Sequence, residues 1–295
     1  MKKKKKKIAN RTETPDAPAS AIEAAPAPVA QVESGKMLLG IVAFALGTTA
    51  FFFNLNLWPG LDPYFVPKFF FMVLAASAAA AVLARMPHVL RWLDDAKPDV
   101  VCMQETKCTD DKFPTLVFQE RGYQCQLFGQ QSYNGVAILT RTACETTHRG
   151  YPGDDETAQS RLITSTVEGI QIVNVYIPNG QAVGSEKYQM KLAWMSRLRE
   201  FFDTNYDPAT PVLLCGDFNV APEERDVHDV RLWQGRIMFS EQERATLQHI
   251  KDWGFTDAFR LHTEAGGKFT WWDYRAGAFR RNLGLRIDQI GRAHV

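Results

Sequence analysis

Apolar and polar positions follow three different regimes along the chain. Residues 1–35 hold no aromatic side chain and, after the run Lys2–Lys7, are dominated by alanine, proline and glutamate. Such a stretch cannot bury enough apolar surface to offset its ordering entropy, so a disordered tail is expected. Residues 36–84 are the opposite. Met37–Trp58 and Phe69–Ala84 are uncharged apolar runs separated by a Pro/Gly-containing break. The first is long enough to cross a hydrocarbon core of about 30 Å. Lys36 and the lysine run precede it, Arg85 and Arg91 follow the second run, and Lys68 is the one basic residue between them. That asymmetry predicts a transmembrane helical hairpin over 36–84, both ends cytoplasmic, with Trp58 and Tyr64 at the interface.

From about residue 85 the period alternates between that of strands and that of helices. Val89, Leu90 and Leu93 share one face of a helix closed by Pro98. PDVVCMQE is a β-rich run ending in a carboxylate, and FPTLVFQERG reads as a helix stopped by Gly122. NGVAILT, RLITSTVEG, IQIVNVYIP and PVLLCGDFN read as strands, with a hairpin turn around Gly169. Glu186–Tyr206 and Ser240–Trp253 read as helices, the second capped by Ser240. This mixture predicts an α/β fold of two packed mixed β-sheets flanked by helices, a four-layer sandwich.

Composition adds little. A hydrophobic content of 45% with 23% charged residues is ordinary for a globular chain, and the net charge of +1 selects no class of partner. The five cysteines form no C-x-x-C pair and no zinc-site spacing, so they read as reduced thiols in a cytosolic protein.

The chemistry lies at strand ends. VVCMQETK places Glu105 there, IVNVYIPNG places Tyr176 and Asn179, VLLCGDFN places Asp217 and Asn219, and LGLRIDQI is expected to end on Asp288. Strand ends gather residues distant in sequence into one pocket on a rigid scaffold. Taken one at a time, each has a blander reading: a solvated glutamate, a capping asparagine, a packed tyrosine.

Together, and in this order, QETK, NVYIPNG, GDFNVAP, FTWWDYR and NLGLRID resemble the exonuclease III family of the endonuclease/exonuclease/phosphatase superfamily. The resemblance spans Arg85 to Asp288, roughly two-thirds of the chain. It implies a magnesium-dependent (manganese as the alternative ion) DNA repair nuclease, a 3′-to-5′ exonuclease and abasic-site endonuclease acting on duplex DNA, and it implies no protein partner. Glu105, with Asp217 and Asn219 beside it, matches the metal-binding set. Asp217 matches the aspartate that deprotonates the attacking water, Asn219 its partner at phosphorus, Tyr176 the tyrosine near the scissile phosphate, and Asp288 the late catalytic aspartate. Trp271, Asn179 and Arg275 match DNA contacts. Arg149, Arg161, Lys187, Lys191, Arg280, Arg281 and Arg286 are further cations available for a DNA track, while Trp272 reads as core.

The resemblance also has gaps. The family's first strand carries an asparagine that AASAAAAVL, just before ARMPHVLRWL, does not supply. After Asp288 the family continues to an S-D-H-x-P segment, whereas this chain runs on to GRAHV. The expectation is an incomplete nuclease domain over 85–289, joined to an unrelated apolar segment and followed by a tail, 290–295, foreign to the domain. Such a chain is expected to be poorly folded and nearly or wholly inactive as a nuclease. Two other readings are a membrane-anchored, non-catalytic remnant or nucleic-acid-binding module held through 37–84, and a phosphodiesterase acting on a lipid or inositol phosphate; YIPNG, the KYQMKLAWMSRL helix and FTWWDYR favour DNA over lipid.

Overall fold

The computed structural model describes residues 40–44, 48–54, 69–75, 81–275 and 277–293. The first sheet takes its strands from the N-terminal half: β1 (Gly40–Phe44), β2 (Thr48–Asn54), β3 (Phe69–Ala75), β4 (Val100–Gln104), β5 (Gln124–Phe128) and β6 (Val136–Thr140). Their spatial order is β1-β2-β3-β4-β6-β5, and β3 runs parallel to β4, with Phe69 opposite Val100 and Phe71 opposite Cys102. The second sheet contains β7 (Thr146–Arg149), β8 (Leu162–Val167), β9 (Ile170–Tyr176), β10 (Val212–Asp217), β11 (Thr256–Asp257) and, as the last strand of the fold, β14 (Asp288–Ala293). Its order is β11-β14-β10-β9-β8-β7. A short ladder, β12 (Trp271–Trp272) with β13 (Gly284–Leu285), stands apart.

Helices cover the outer faces. Those of the first sheet are α1 (Ala81–Ala96) and α2 (Thr115–Gln119); those of the second are α3 (Glu186–Asn205) and α5 (Glu241–Lys251), with a single turn, α4 (Val230–Trp233), between them in sequence. Because both faces of each sheet are covered, the central strands are apolar throughout instead of alternating. In β4, Val100 and Cys102 point between the sheets, while Val101 and Met103 meet Val89 and Leu93 of α1. In β10, Leu213 and Cys215 face inward, while Val212 and Leu214 meet Met195, Leu198 and Phe202 of α3 and Leu247 and Ile250 of α5. The expected four-layer arrangement is therefore present.

Local signals set most boundaries. Ser185 accepts a hydrogen bond from Tyr188 N and opens α3, and Ser240 with Glu243 forms a capping box at α5. The β8–β9 hairpin turns at Glu168 and Gly169, both at positive φ (50° and 74°), the geometry of a two-residue primed turn.

Three expectations need correction. Among the described residues no helix is long and apolar enough to cross a membrane. Where the hairpin over 36–84 is described, residues 40–44, 48–54 and 69–75 are strands and residues 81–84 open α1; its other residues, like the tail 1–35, lie outside the described residues. A short apolar run fits a buried strand as well as a helix, and the edge of β4 offers β3 backbone partners. Asp288 opens β14 and does not end a strand. Residues 290–293, read as a foreign tail, continue β14 against β10, with Ile290 and Ala293 buried. His294 lies outside the described residues.

Candidate active site

Three strands deliver the site. Parallel pairing sets Asp217 of β10 beside Tyr176 of β9, and antiparallel pairing sets Asp217 opposite Asp288 of β14. Glu105 follows β4 at φ 55°, and its Oε1 accepts a hydrogen bond from the Tyr176 hydroxyl, which joins the two sheets at this point. Lys107 Nζ lies 3.3 Å from Glu105 Oε2. The close approach of β9 to β10 depends on Gly216: a Cβ there would sit 1.9 Å from Val175 O, and its φ of 138° is one that few other residues adopt.

The turn after β10 completes the group. Asn219 N donates to Asp217 Oδ1 at 2.8 Å, closing an Asx turn with Asn219 at φ 51°. Asn219 Nδ2 donates to Ile177 O (3.0 Å), and its Oδ1 accepts from Asn179 Nδ2 (3.0 Å). One Nδ2 hydrogen of Asn219 remains for another acceptor. Thr270 Oγ1 accepts from the backbone N–H groups of Ile287 and Asp288 (2.9 and 3.1 Å), fixing the start of β14.

Burial dominates the electrostatics. Asp217 is pushed up to about 7, first by desolvation and then by the charge of Glu105, against the Asn219 N–H, Lys191 and Arg161. Asp288 is held well above the usual carboxylate range by burial, with Asp217 adding repulsion. Its Oδ1 is buried without a hydrogen-bond partner. Tyr176 is also raised well above its ordinary value, by burial and then by Glu105. Arg161 lays its guanidinium 4.7 Å from the Tyr176 ring centroid and donates to Tyr176 O at 3.1 Å. A cleft of about 870 Å³ opens above, lined by Glu105, Lys107, Arg161, Tyr176, Asn179 and Lys187 among others.

Among the described residues no three His, Cys, Asp or Glu side chains gather closely enough to chelate an ion. The residues present nevertheless suit a hard cation. Glu105 borders the cleft, and the buried, unpartnered Asp288 oxygen lies in a cluster of mutually repelling carboxylates that positive charge would relieve. Magnesium commonly takes one or two protein carboxylates and keeps waters for the rest.

Glu105, Tyr176, Asn179, Asp217, Asn219 and Asp288 are thus one constellation. Trp271 and Arg275 are not part of the cleft wall: Trp271 packs edge-on against Trp233, and exposed Arg275 is bidentate to Asp273. Trp272 is core, as its sequence suggests. Arg149, Lys187, Arg280 and Arg281 are exposed. Lys191 and Arg286 are not: both are fully buried, Lys191 on Glu243 and Arg286 on Asp226 and Asp257. The signal for Lys191 was its place on the apolar stripe of α3 with Tyr188, Met195, Leu198 and Phe202. Thr270 and the second roles of Arg161 and Lys107 had no comparable signal.

This fold is shared by a large class of phosphodiester-cleaving enzymes. The profile of the endonuclease/exonuclease/phosphatase family matches residues 70–290, and the chain belongs to that family; it is an exodeoxyribonuclease III-like phosphodiesterase by descent. The match begins inside the segment expected to be foreign, at β3. The chain is 34% identical over 221 residues to exodeoxyribonuclease III of Haemophilus influenzae, covering 70% of this chain and 83% of that protein. Among solved structures, a 3′ phosphatase from Neisseria bound to a product DNA hairpin is similar with a TM-score of 0.68 and 39% identity, covering 72% of this chain and 82% of that one. An AP endonuclease from Archaeoglobus fulgidus is similar with a TM-score of 0.69 and 36% identity, covering the same 72% and 82%.

Proposed function

We propose that this protein is a divalent-metal-dependent DNA repair nuclease that hydrolyses the backbone of duplex DNA at abasic sites and 3′ ends. The observation that carries the reading is the meeting of Glu105 and Tyr176, which line one cleft, with buried Asp217 and Asn219 beside them, in a chain whose relatives are exodeoxyribonuclease III and AP endonucleases. Asp217, raised by its buried setting to about 7, is matched to taking a proton from water near neutral pH. Asn219 offers its remaining N–H to a phosphate oxygen without adding an anion beside it. Tyr176 lines the cleft beside Glu105 and gives its one hydroxyl hydrogen to that carboxylate; were a cation to occupy the carboxylate, the hydroxyl would be free to turn to a phosphate oxygen.

Glu105 would hold the cation, with Asp217 and Asp288 behind it. A bound divalent ion offsets the negative charge that builds on the phosphate as the bond breaks. Magnesium suits these hard oxygen donors, and manganese is the alternative. Exposed Arg149, Lys187, Arg280 and Arg281, with Asn179, Trp271 and Arg275, are the available contacts to the DNA backbone and sugar. We place the nuclease domain in the cytoplasm.

The phenylalanine-rich β3 carries no asparagine, which the family has in its first strand, so cleavage by this chain should be slow. The test is a labelled duplex with one synthetic abasic site, incubated with the full chain and magnesium, manganese or chelator. Cleavage with either ion and none with chelator is expected. Cleavage of an inositol phosphodiester but not of DNA would replace this reading with the lipid one.

A further inference from the structure

Lys191 and Glu243 form an ion pair with both side chains at 0% exposure, Nζ lying 2.5 Å from Oε1. Burying two charges is costly, and such a pair is weak evidence for stability, because a neutral apolar pair packs as well or better. The geometry shows what else this pair does. The ammonium has three hydrogens and three acceptors: Glu243 Oε1, Asn219 O at 2.7 Å and Asn179 O at 3.2 Å. The two carbonyls belong to the two asparagines of the active-site constellation, one after β9 and the other after β10.

Both loops need holding. Asn219 is left-handed at φ 51°, a conformation that persists when its surroundings over-determine it. Its side-chain oxygen accepts from Asn179, so an error in either loop misaims both amides. Glu243 is itself fixed from three sides by Ser240 Oγ (2.6 Å), Ser240 N (3.1 Å) and Met238 N (3.1 Å). The route of support runs from the cap of α5, through the ion pair, to the two loops.

We propose that Lys191 is a positioning residue: its ammonium, anchored by Glu243, clamps the Asn179 and Asn219 carbonyls together and so fixes the Asn219 amide against Asn179 at the edge of the cleft. Its consequence for cleavage rests on the nuclease reading above.

The experiment uses the full chain carrying Lys191→Met together with Glu243→Gln, which removes both charges and keeps side-chain length. Thermal unfolding should match the unaltered protein within a few degrees, whereas Lys191→Met alone should melt far lower, because it strands Glu243. Backbone amides of residues 179–182 and 218–221 should exchange with deuterium about tenfold faster in the double variant, with other segments unchanged. Its single-turnover cleavage of abasic duplex should fall about a hundredfold. Its KM should stay within about threefold. Three results would overturn the proposal: unchanged exchange in both loops, cleavage restored along with melting temperature, or a double variant that does not fold, which would assign the pair to stability. If the unaltered chain cleaves nothing, the nuclease reading fails, and the exchange measurement still decides the clamp.

Discussion

Asn174 gives a sharp test of how the two sheets are joined. It lies in β9, fully buried, on the face that looks into the space between the sheets. Its Nδ2 donates to Met103 O and Ala137 O, each at 3.0 Å, and its Oδ1 accepts from Gln104 Nε2 at 2.5 Å. One side chain therefore bridges β9 to both β4 and β6, a single residue away from Glu105. Asn174→Leu keeps the volume and removes all three bonds. Each stranded group costs about 1–3 kcal/mol, so three cost about 6 kcal/mol. Burying leucine in place of an amide returns about 2 kcal/mol. The expected loss is about 4 kcal/mol. In urea, with a slope of about 3 kcal/mol/M for a domain of this size, the midpoint should fall by about 1.3 M. Asn174→Asp should be worse above neutral pH, because a carboxylate facing two carbonyls has no hydrogen to give. Its buried carboxyl is raised in the folded state, so the loss should shrink as pH falls and the protonated form regains a donor. A leucine variant within about 1 kcal/mol of the parent would show that the bridge is not what joins the sheets.

Other consequences can be checked independently. Asp217→Asn should lower turnover by about a thousandfold with duplex binding retained, whereas Glu105→Ala should raise the magnesium needed for half-maximal rate; equal loss of DNA affinity in both would refute that division of roles. Gly216→Ala should cost about 3 kcal/mol or more, read as loss of soluble yield and melting temperature, since its Cβ would overlap Val175 O. Burial pushes the Cys125 thiol up to about 12, so it stays neutral at pH 8. Alkylation followed by mass spectrometry should find Cys125 slow at pH 8 and about tenfold faster for each pH unit above that; rapid, pH-independent labelling would contradict its burial.

Much of this protein is legible in its sequence because strands and helices carry their own periods. The apolar runs of β4, β6, β8, β9 and β10 each announce a buried strand, and the polar groups after them mark where those strands stop. Ser185 and Ser240 fix the starts of α3 and α5 through hydrogen bonds made within a few residues, and Glu168-Gly169 fixes a hairpin in the same local way. Short-range geometry of this kind needs nothing from the rest of the chain.

What the sequence left open depends on partners far away. The apolar residues of 37–84 suit a membrane helix or a buried strand equally well, and the free edge of β4 decides for strand where β3 is described. Asp288 reads as the end of a strand, yet it opens one, because antiparallel pairing with β10 brings it opposite Asp217. Lys191 and Arg286 read as cations for DNA. Only the approach of Glu243 in one case, and of Asp226 and Asp257 in the other, makes their burial affordable. The pKa of Asp217 follows the same rule, being set by desolvation and by charges on other strands and helices. Period and capping are properties of neighbouring residues and survive in one dimension; register, burial and field are sums over contacts distant in sequence, and they exist once the sheets have closed.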